Sequence, residues 1–101
     1  SVREATERAL TLVGTCAPGD GLALMGDEVV VVAPTVEEAA QVLLGRVLSL
    51  GGELVTILVG ADAPPGLAER VATHVERAFP GVEVLTYPGG QPGEVLQIGV
   101  E

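Results

Sequence analysis

The sequence predicts a small α/β domain in which two main helices pack on a mixed β-sheet. Apolar runs rich in β-branched residues, at 29–32 and 54–59, alternate with segments whose apolar residues recur every three or four positions. Residues 54–87 also follow a strand, helix, strand pattern with short connections, which predicts a right-handed βαβ unit. At 101 residues the chain is expected to form a single domain.

The first part of the chain predicts one β-hairpin. Residues 2–12 are compatible with either a helix or a strand. Leu22 and Leu24 then alternate with small residues, and Gly26–Asp27 predicts a tight turn. Val29–Val32 is a continuous β-branched run, so we expect the second strand of the hairpin to be buried on both faces.

Two amphipathic helices are predicted next. The segment TVEE has the form of a capping box, in which the side chains of Thr35 and Glu38 bond the backbone of the first turn. Gly51–Gly52 ends this helix, and the second helix is expected to begin at Pro64–Pro65 with Asp62 as its cap. The predicted apolar faces are Val36, Ala39, Ala40, Leu43, Leu44, Val47 and Leu48 in the first helix, and Leu67, Val71, Val75, Ala78 and Phe79 in the second.

Three strands complete the predicted sheet. Leu54–Val59 is apolar on both faces and is expected to be a central, buried strand. Residues 82–87 form the returning strand of the βαβ unit, and residues 94–100 form a last strand. A six-residue loop is too short for a parallel crossover, so the last strand should be antiparallel to a neighbour. We interpret this loop, residues 88–93, as a rigid hairpin connection, or else as a shaped surface, and Gln91 is its only side chain that can form hydrogen bonds.

Composition excludes several classes of function. The chain has 14 acidic residues, five arginines, no lysine and a net charge of −9, so we do not expect nucleic-acid binding. The acidic surface either serves solubility or attracts a basic partner. No apolar run approaches the length of a membrane span, and the N-terminal residues lack the apolar centre of a secretion signal. With a single cysteine, we expect a cytoplasmic protein without disulfides.

Chemical motifs are sparse. One histidine, His74, and one cysteine, Cys16, do not make a metal site, and GGQPGE lacks the lysine and the following helix of a phosphate-binding loop. Arg70, His74 and Arg77 share one helical face, which is either a solvated surface or a docking stripe. Gly60 is the glycine best placed for a ligand, because ligands of open α/β sheets lie at the carboxyl ends of strands.

Several segments together resemble one family. They are GDGLALMGDEVVVVAPTVEEA, GGELVTILVGAD and AFPGVEVLTYPGGQPGEVLQIGVE, and their order and spacing match across roughly residues 17–101. This combination is similar to the C-terminal region of DAK2-type, dihydroxyacetone-kinase-like proteins, whose members include the ATP-binding subunit of bacterial fatty acid kinase. The resemblance implies a C-terminal fragment of a larger multidomain protein, with the later half of a DegV-like fold.

The resemblance also implies a role. ATP and magnesium would bind a separate N-terminal domain, so no cofactor is expected in residues 1–101. This domain would be non-catalytic and would dock a DegV-like fatty-acid-binding protein beside the remainder of the kinase subunit. The expected partner-binding residues are Gly60, Asp62, Tyr87, Gly89, Gly90, Gln91 and Pro92. An alternative is a sensing module that binds an acyl ligand in a cleft beyond Gly60, and an independent enzyme is a third, less favoured hypothesis.

Overall fold

The computed structural model describes all residues from 1 to 101 and contains eight strands and two helices. They are β1 (Val2–Glu4), β2 (Ala9–Thr11), β3 (Gly14–Cys16), β4 (Gly21–Met25), β5 (Glu28–Ala33), α1 (Val36–Leu48), β6 (Leu54–Val59), α2 (Leu67–Ala78), β7 (Glu83–Pro88) and β8 (Leu96–Val100). Six strands form one mixed sheet in the order β5-β4-β1-β8-β6-β7, and β2 pairs with β3 as a separate hairpin. The predicted α/β architecture is confirmed, and residues 2–12 contain two short strands instead of a helix.

Both helices cover the same face of the six-stranded sheet. Val55 and Ile57 of β6 are completely buried in the core that they form with the helices. The Thr35 hydroxyl accepts a hydrogen bond from the Glu38 amide at 3.1 Å, which confirms one half of the capping box; the Glu38 carboxylate makes no bond back to Thr35. The predicted apolar face of α1 is also confirmed, and its buried residues are Ala39, Ala40, Leu43, Leu44 and Leu48.

The opposite face of the sheet is covered only in part. The β2–β3 hairpin packs there against β4, and Cys16, Leu22 and Leu24 form a second, smaller core with Ala5. No element covers the same face of β6, β7 and β8, where Gln97 is exposed. The sheet therefore has one complete and one incomplete layer of packing.

Burial of the strands differs from the prediction. β5 is an edge strand, so Val29–Val32 is not buried on both faces: Val31 is buried, and its neighbours are half-buried. β6 lies inside the sheet as predicted, but only the face that contacts the helices is fully buried. An apolar run of four to six residues does not distinguish an edge strand from an interior one, which explains the error.

The start of α2 was also predicted wrongly. Asp62 lies in a turn, and Gly66 is the residue that precedes the first helical position, with φ of 79° and no side-chain cap. Pro64–Pro65 delays the helix because a proline disfavours the helical conformation of the residue before it. Leu67, Val71 and Val75 are buried as predicted, whereas Ala78 is exposed and Phe79 is half-buried after the last helical residue.

The loop before β8 crosses over the end of β6. β7 is parallel to β6 and β8 is antiparallel to it, as predicted, but they lie on opposite sides of β6. Residues 89–95 are therefore a crossover and not a hairpin connection, so that interpretation was wrong. The Gly60 amide donates to the Val95 carbonyl at 2.8 Å. A Cβ atom at Gly60 would overlap with the Glu94 carbonyl oxygen, so the crossover requires a glycine there.

We expect Gly60→Ala to destabilise the fold by about 1–3 kcal/mol, because the added methyl group meets backbone that cannot rotate away. Gly45→Ala in α1 is the matched control. A Cβ atom at Gly45 meets open space, and alanine stabilises a helix by about 0.5–1 kcal/mol relative to glycine. Urea unfolding of both variants measures the difference, and equal midpoints would contradict the close approach at Gly60.

We expect Ile57→Ala to lower the free energy of unfolding by about 2–5 kcal/mol, because Ile57 is completely buried beneath the helices. Thr56→Ala changes the neighbouring residue on the uncovered face of the same strand and should cost less than about 1 kcal/mol. Thermal unfolding of the two variants compares the two faces of β6. A similar loss in both would show that the two faces are equally buried.

Candidate functional site

Two loops meet at one end of the sheet, where β6 and β7 end side by side. The Gly89 and Gly90 amides both donate to the Val59 carbonyl, at 2.9 and 3.0 Å. The Ala61 amide donates to the Gln91 carbonyl at 3.0 Å. We call residues 60–62 and 89–92 the rim. The parallel arrangement of the two strands brings these loops together at one end of the sheet.

Gln91 holds the second loop of the rim in place. Its side chain is half-buried, and its Nε2 atom donates to the Leu58 carbonyl at 3.1 Å. The side chain lies over Gly89, where a Cβ atom would overlap with the Gln91 Oε1 atom. Gly90 has a left-handed φ of 69°, which favours glycine. Gly89, Gly90 and Gln91 of the GGQP segment therefore each have a role in the fold.

The remaining predicted partner-binding residues differ in exposure. Gly60 is buried beneath Glu94, so it offers no surface to a partner. Tyr87 is 50% exposed and lies next to the rim on β7, opposite Leu58 on the uncovered face of the sheet. Of the predicted residues in the rim, Asp62, Gly89, Gly90 and Pro92 are exposed, as is the rim residue Ala61.

The rim end of the sheet carries an excess of negative charge. Two arginines of β1 and α2 are already paired with carboxylates: Arg3 with Glu94 at 3.6 Å, and Arg70 with Glu37 at 2.6 Å. Several carboxylates at this end have neither an ion pair nor a hydrogen bond, and Glu4, Glu38 and Asp62 are among them. A partner that meets this end therefore meets several unpaired carboxylates, and the arginines Arg3 and Arg70 are already paired.

The chain offers few groups for chemistry. No group of three or more His, Cys, Asp and Glu side chains is placed to hold a metal ion. Cys16 is buried under the hairpin, with its Sγ atom 3.7 Å from the Glu7 carbonyl oxygen, and His74 is exposed on α2. Arg70 belongs to the predicted docking stripe with His74, but its Nε atom donates to the Glu37 carboxylate of α1 instead of to a residue of its own helix. None of the helices is long and apolar enough to cross a membrane.

The structure contains an exposed apolar hairpin that was not predicted from the sequence. Leu10, Leu12 and Val13 at the tip of β2–β3 are 85%, 78% and 52% exposed. The Thr11 hydroxyl fixes this turn by accepting from the Val13 amide at 3.2 Å and donating to the Gly14 carbonyl at 2.6 Å. The signal was the segment LTLVG, in which aliphatic residues occupy turn positions that are usually polar.

Comparison with known proteins identifies the family of this chain. The family of FakA-like C-terminal domains, from fatty acid kinase, matches residues 1–101. Over 50 residues the chain is 34% identical to an uncharacterised protein of Staphylococcus aureus (strain USA300) and 38% identical to one of Staphylococcus haemolyticus (strain JCSC1435). Each alignment covers 50% of this chain and 9% of the relative, so the chain corresponds to a small part of these longer proteins. On the match across residues 1–101, the chain belongs to the FakA-like C-terminal family of fatty acid kinase.

Proposed function

We propose that this chain is the non-catalytic C-terminal domain of a larger fatty-acid-kinase-like subunit, and that it docks a DegV-like fatty-acid carrier. In this proposal a separate domain binds ATP and magnesium and transfers the γ-phosphoryl group to the acyl carboxylate, giving an acyl phosphate and ADP. Family membership supports the kinase-subunit part of the proposal. The observation that carries the docking part is the rim, whose two loops are fixed to one another.

The rim suits docking because its backbone is already ordered. Four hydrogen bonds hold the second loop against β6 and the first loop, from Gly89, Gly90, Ala61 and the Gln91 side chain. A surface ordered in the free protein loses little conformational entropy when a partner binds. The groups that it presents outward are the Asp62 carboxylate, the Pro92 ring and the backbone of Gly90.

Charge indicates the kind of surface that the partner offers. With Arg3 and Arg70 paired, the unpaired carboxylates at the rim end favour a carrier with lysines or arginines on its contact face. Complementary charge of this kind speeds association more than it tightens the complex, and salt screens it. The carrier should therefore associate fastest at low ionic strength.

The same end of the domain is poorly suited to phosphoryl transfer. That reaction needs cations or backbone amides that stabilise the charge on the transferred group. The chain has no lysine, and the two arginines near the rim neutralise carboxylates of the chain itself. We therefore assign the chemistry to another domain of the larger protein.

The structure does not favour the alternative in which an acyl ligand binds directly beyond Gly60. The Glu94 carbonyl lies against Gly60, and the Val95 carbonyl accepts its amide hydrogen. The carboxyl end of β6, where ligands of open α/β sheets lie, is therefore covered by the chain itself.

We expect Asp62→Lys in the full-length protein to slow association with the carrier by about threefold or more at low salt, because it reverses an exposed charge within the rim. Asp27→Lys is the matched control, since it makes the same change at the exposed β4–β5 turn, at the other end of the sheet. Association rates measured by stopped flow at low salt and at about 0.5 M salt should show the difference only at low salt.

Two results would contradict docking at the rim. Equal association rates for the two charge variants would remove the rim from the contact surface. A loss of binding in Leu12→Ser, with no effect of Asp62→Lys, would place the contact on the apolar hairpin instead. If the wild-type protein did not bind the carrier at all, the docking proposal itself would fail.

We expect Gln91→Ala to lower the free energy of unfolding by about 0.5–1.5 kcal/mol, because it removes the bond to the Leu58 carbonyl. Gln97→Ala, on the uncovered face of β8, should change it by less than about 0.5 kcal/mol. Urea unfolding of both variants checks this, and two equal, small effects would show that the Gln91 bond does not hold the loop. Because Gln91 anchors the loop, a loss of carrier binding in Gln91→Ala alone would not identify a direct contact.

A further inference from the structure

β1 is shorter than the two strands between which it lies. It pairs with β8 at one register position only, Val2 with Leu96, although β8 continues to Val100. On its other side Ser1 still exchanges both backbone hydrogen bonds with Leu24, at 2.8 and 2.9 Å. On the N-terminal side of Ser1, where β1 is absent, the last residues of β4 and β8 flank a groove in the interior of the sheet.

The groove has the width of one β-strand. Neighbouring strands are about 4.8 Å apart, so β4 and β8, which are separated by one strand position, are roughly 10 Å apart. The cavity between them has a volume of about 340 Å³. Its floor is formed by Leu43, Leu44 and Val47 of α1, and its walls by Met25 of β4 and by Ile98 and Val100 of β8.

The backbone of β8 is oriented to bond a strand in this groove. Leu54 and Glu101 exchange both backbone hydrogen bonds, at 2.9 and 3.0 Å, which fixes the pairing of β6 with β8. Backbone groups of successive residues in an antiparallel strand point alternately to its two sides. The backbone amides and carbonyls of Gln97 and Gly99 therefore point toward β6, and those of Ile98 and Val100 point toward the groove. An extended peptide would satisfy these groups, and a rounded ligand would not.

We propose that the groove holds an extended segment of the longer protein, the residues directly N-terminal to Ser1, which continue β1 as an interior strand. This inference rests on the part of the proposed function in which the chain belongs to a larger subunit. The Ser1 nitrogen already occupies the ladder position next to β4, so a strand in the groove continues directly into it. The apolar floor requires an apolar side chain at every second position of that strand.

The environment of the Ser1 nitrogen supports the same occupant. Burial lowers the pKa of the Ser1 amino group from its usual value of 8.0, while the Glu94 carboxylate opposes this effect and Arg3 adds to it. A charged amine is unfavourable in this position, and a peptide nitrogen would make the same bond to Leu24 without a charge. The connection to the rest of the protein would then enter at the end of the sheet opposite the rim, and would leave the rim free for a partner.

Hydrogen exchange of an extended chain tests this inference. One form carries four native residues before Ser1, and its control carries four Gly and Ser residues. We expect the native extension to slow exchange at the Ile98 and Val100 amides by about tenfold or more relative to the control. The Gln97 and Gly99 amides, which face β6 in both forms, should not change. Oxidation of Met25, which is 61% exposed, should also become slower.

Equal exchange at Ile98 and Val100 in the two extended forms would overturn the inference, as would a gene that encodes no residues before Ser1. Protection by any extension, including Gly and Ser, would show that the groove does not select the native segment and would also overturn it. The result is independent of carrier binding. A protected groove in a protein that binds no carrier would leave this inference intact and reject the docking proposal.

Discussion

The passage of residues 89–95 over the end of β6 is the constraint on which the rest of the architecture depends. β7 and β8 lie on opposite sides of β6, so the chain has to cross the carboxyl end of that strand. The crossing is close because Gly60 has no side chain, and it is fixed by the bond from Gln91 to the Leu58 carbonyl. One crossing thereby sets the strand order, closes the usual ligand position of the sheet and creates the rim.

The two faces of the sheet are buried to different extents, and they therefore have different roles. The helices bury the aliphatic face of β6 and β8, and complete burial of one such side chain contributes about 1.5–3 kcal/mol. The other face is covered only where the hairpin lies over β4, with Thr56, Leu58 and Tyr87 left partly in solvent. Packing against the helices therefore contributes most of the folding stability. The rim, the uncovered face and the apolar hairpin are the surfaces that can contact other domains or partners.

The order and type of the main elements could be predicted from residues 21–100, because helix caps, the spacing of apolar residues and the glycines that end each element are local properties. The TVEE cap and the βαβ unit are examples. Edge and interior positions could not be predicted, since Val29–Val32 and Leu54–Val59 are equally apolar and differ only in their neighbours. The roles of Gly60 and Gln91 were missed for the same reason. They depend on contacts with Glu94 and Leu58, and more than thirty residues separate the members of each pair along the chain.

Hydrogen exchange at individual amides of the rim tests the crossover most directly. The amides of Gly60, Ala61 and Gly89 donate to carbonyls across the crossing, whereas the Gly93 amide in the same loop has no partner in the chain. We predict that the first three amides exchange at rates close to those of the β6 amides, and that the Gly93 amide exchanges freely. Exchange at Gly60, Ala61 and Gly89 as fast as at Gly93 would show a loose surface loop, and would contradict both the crossover and the ordered rim.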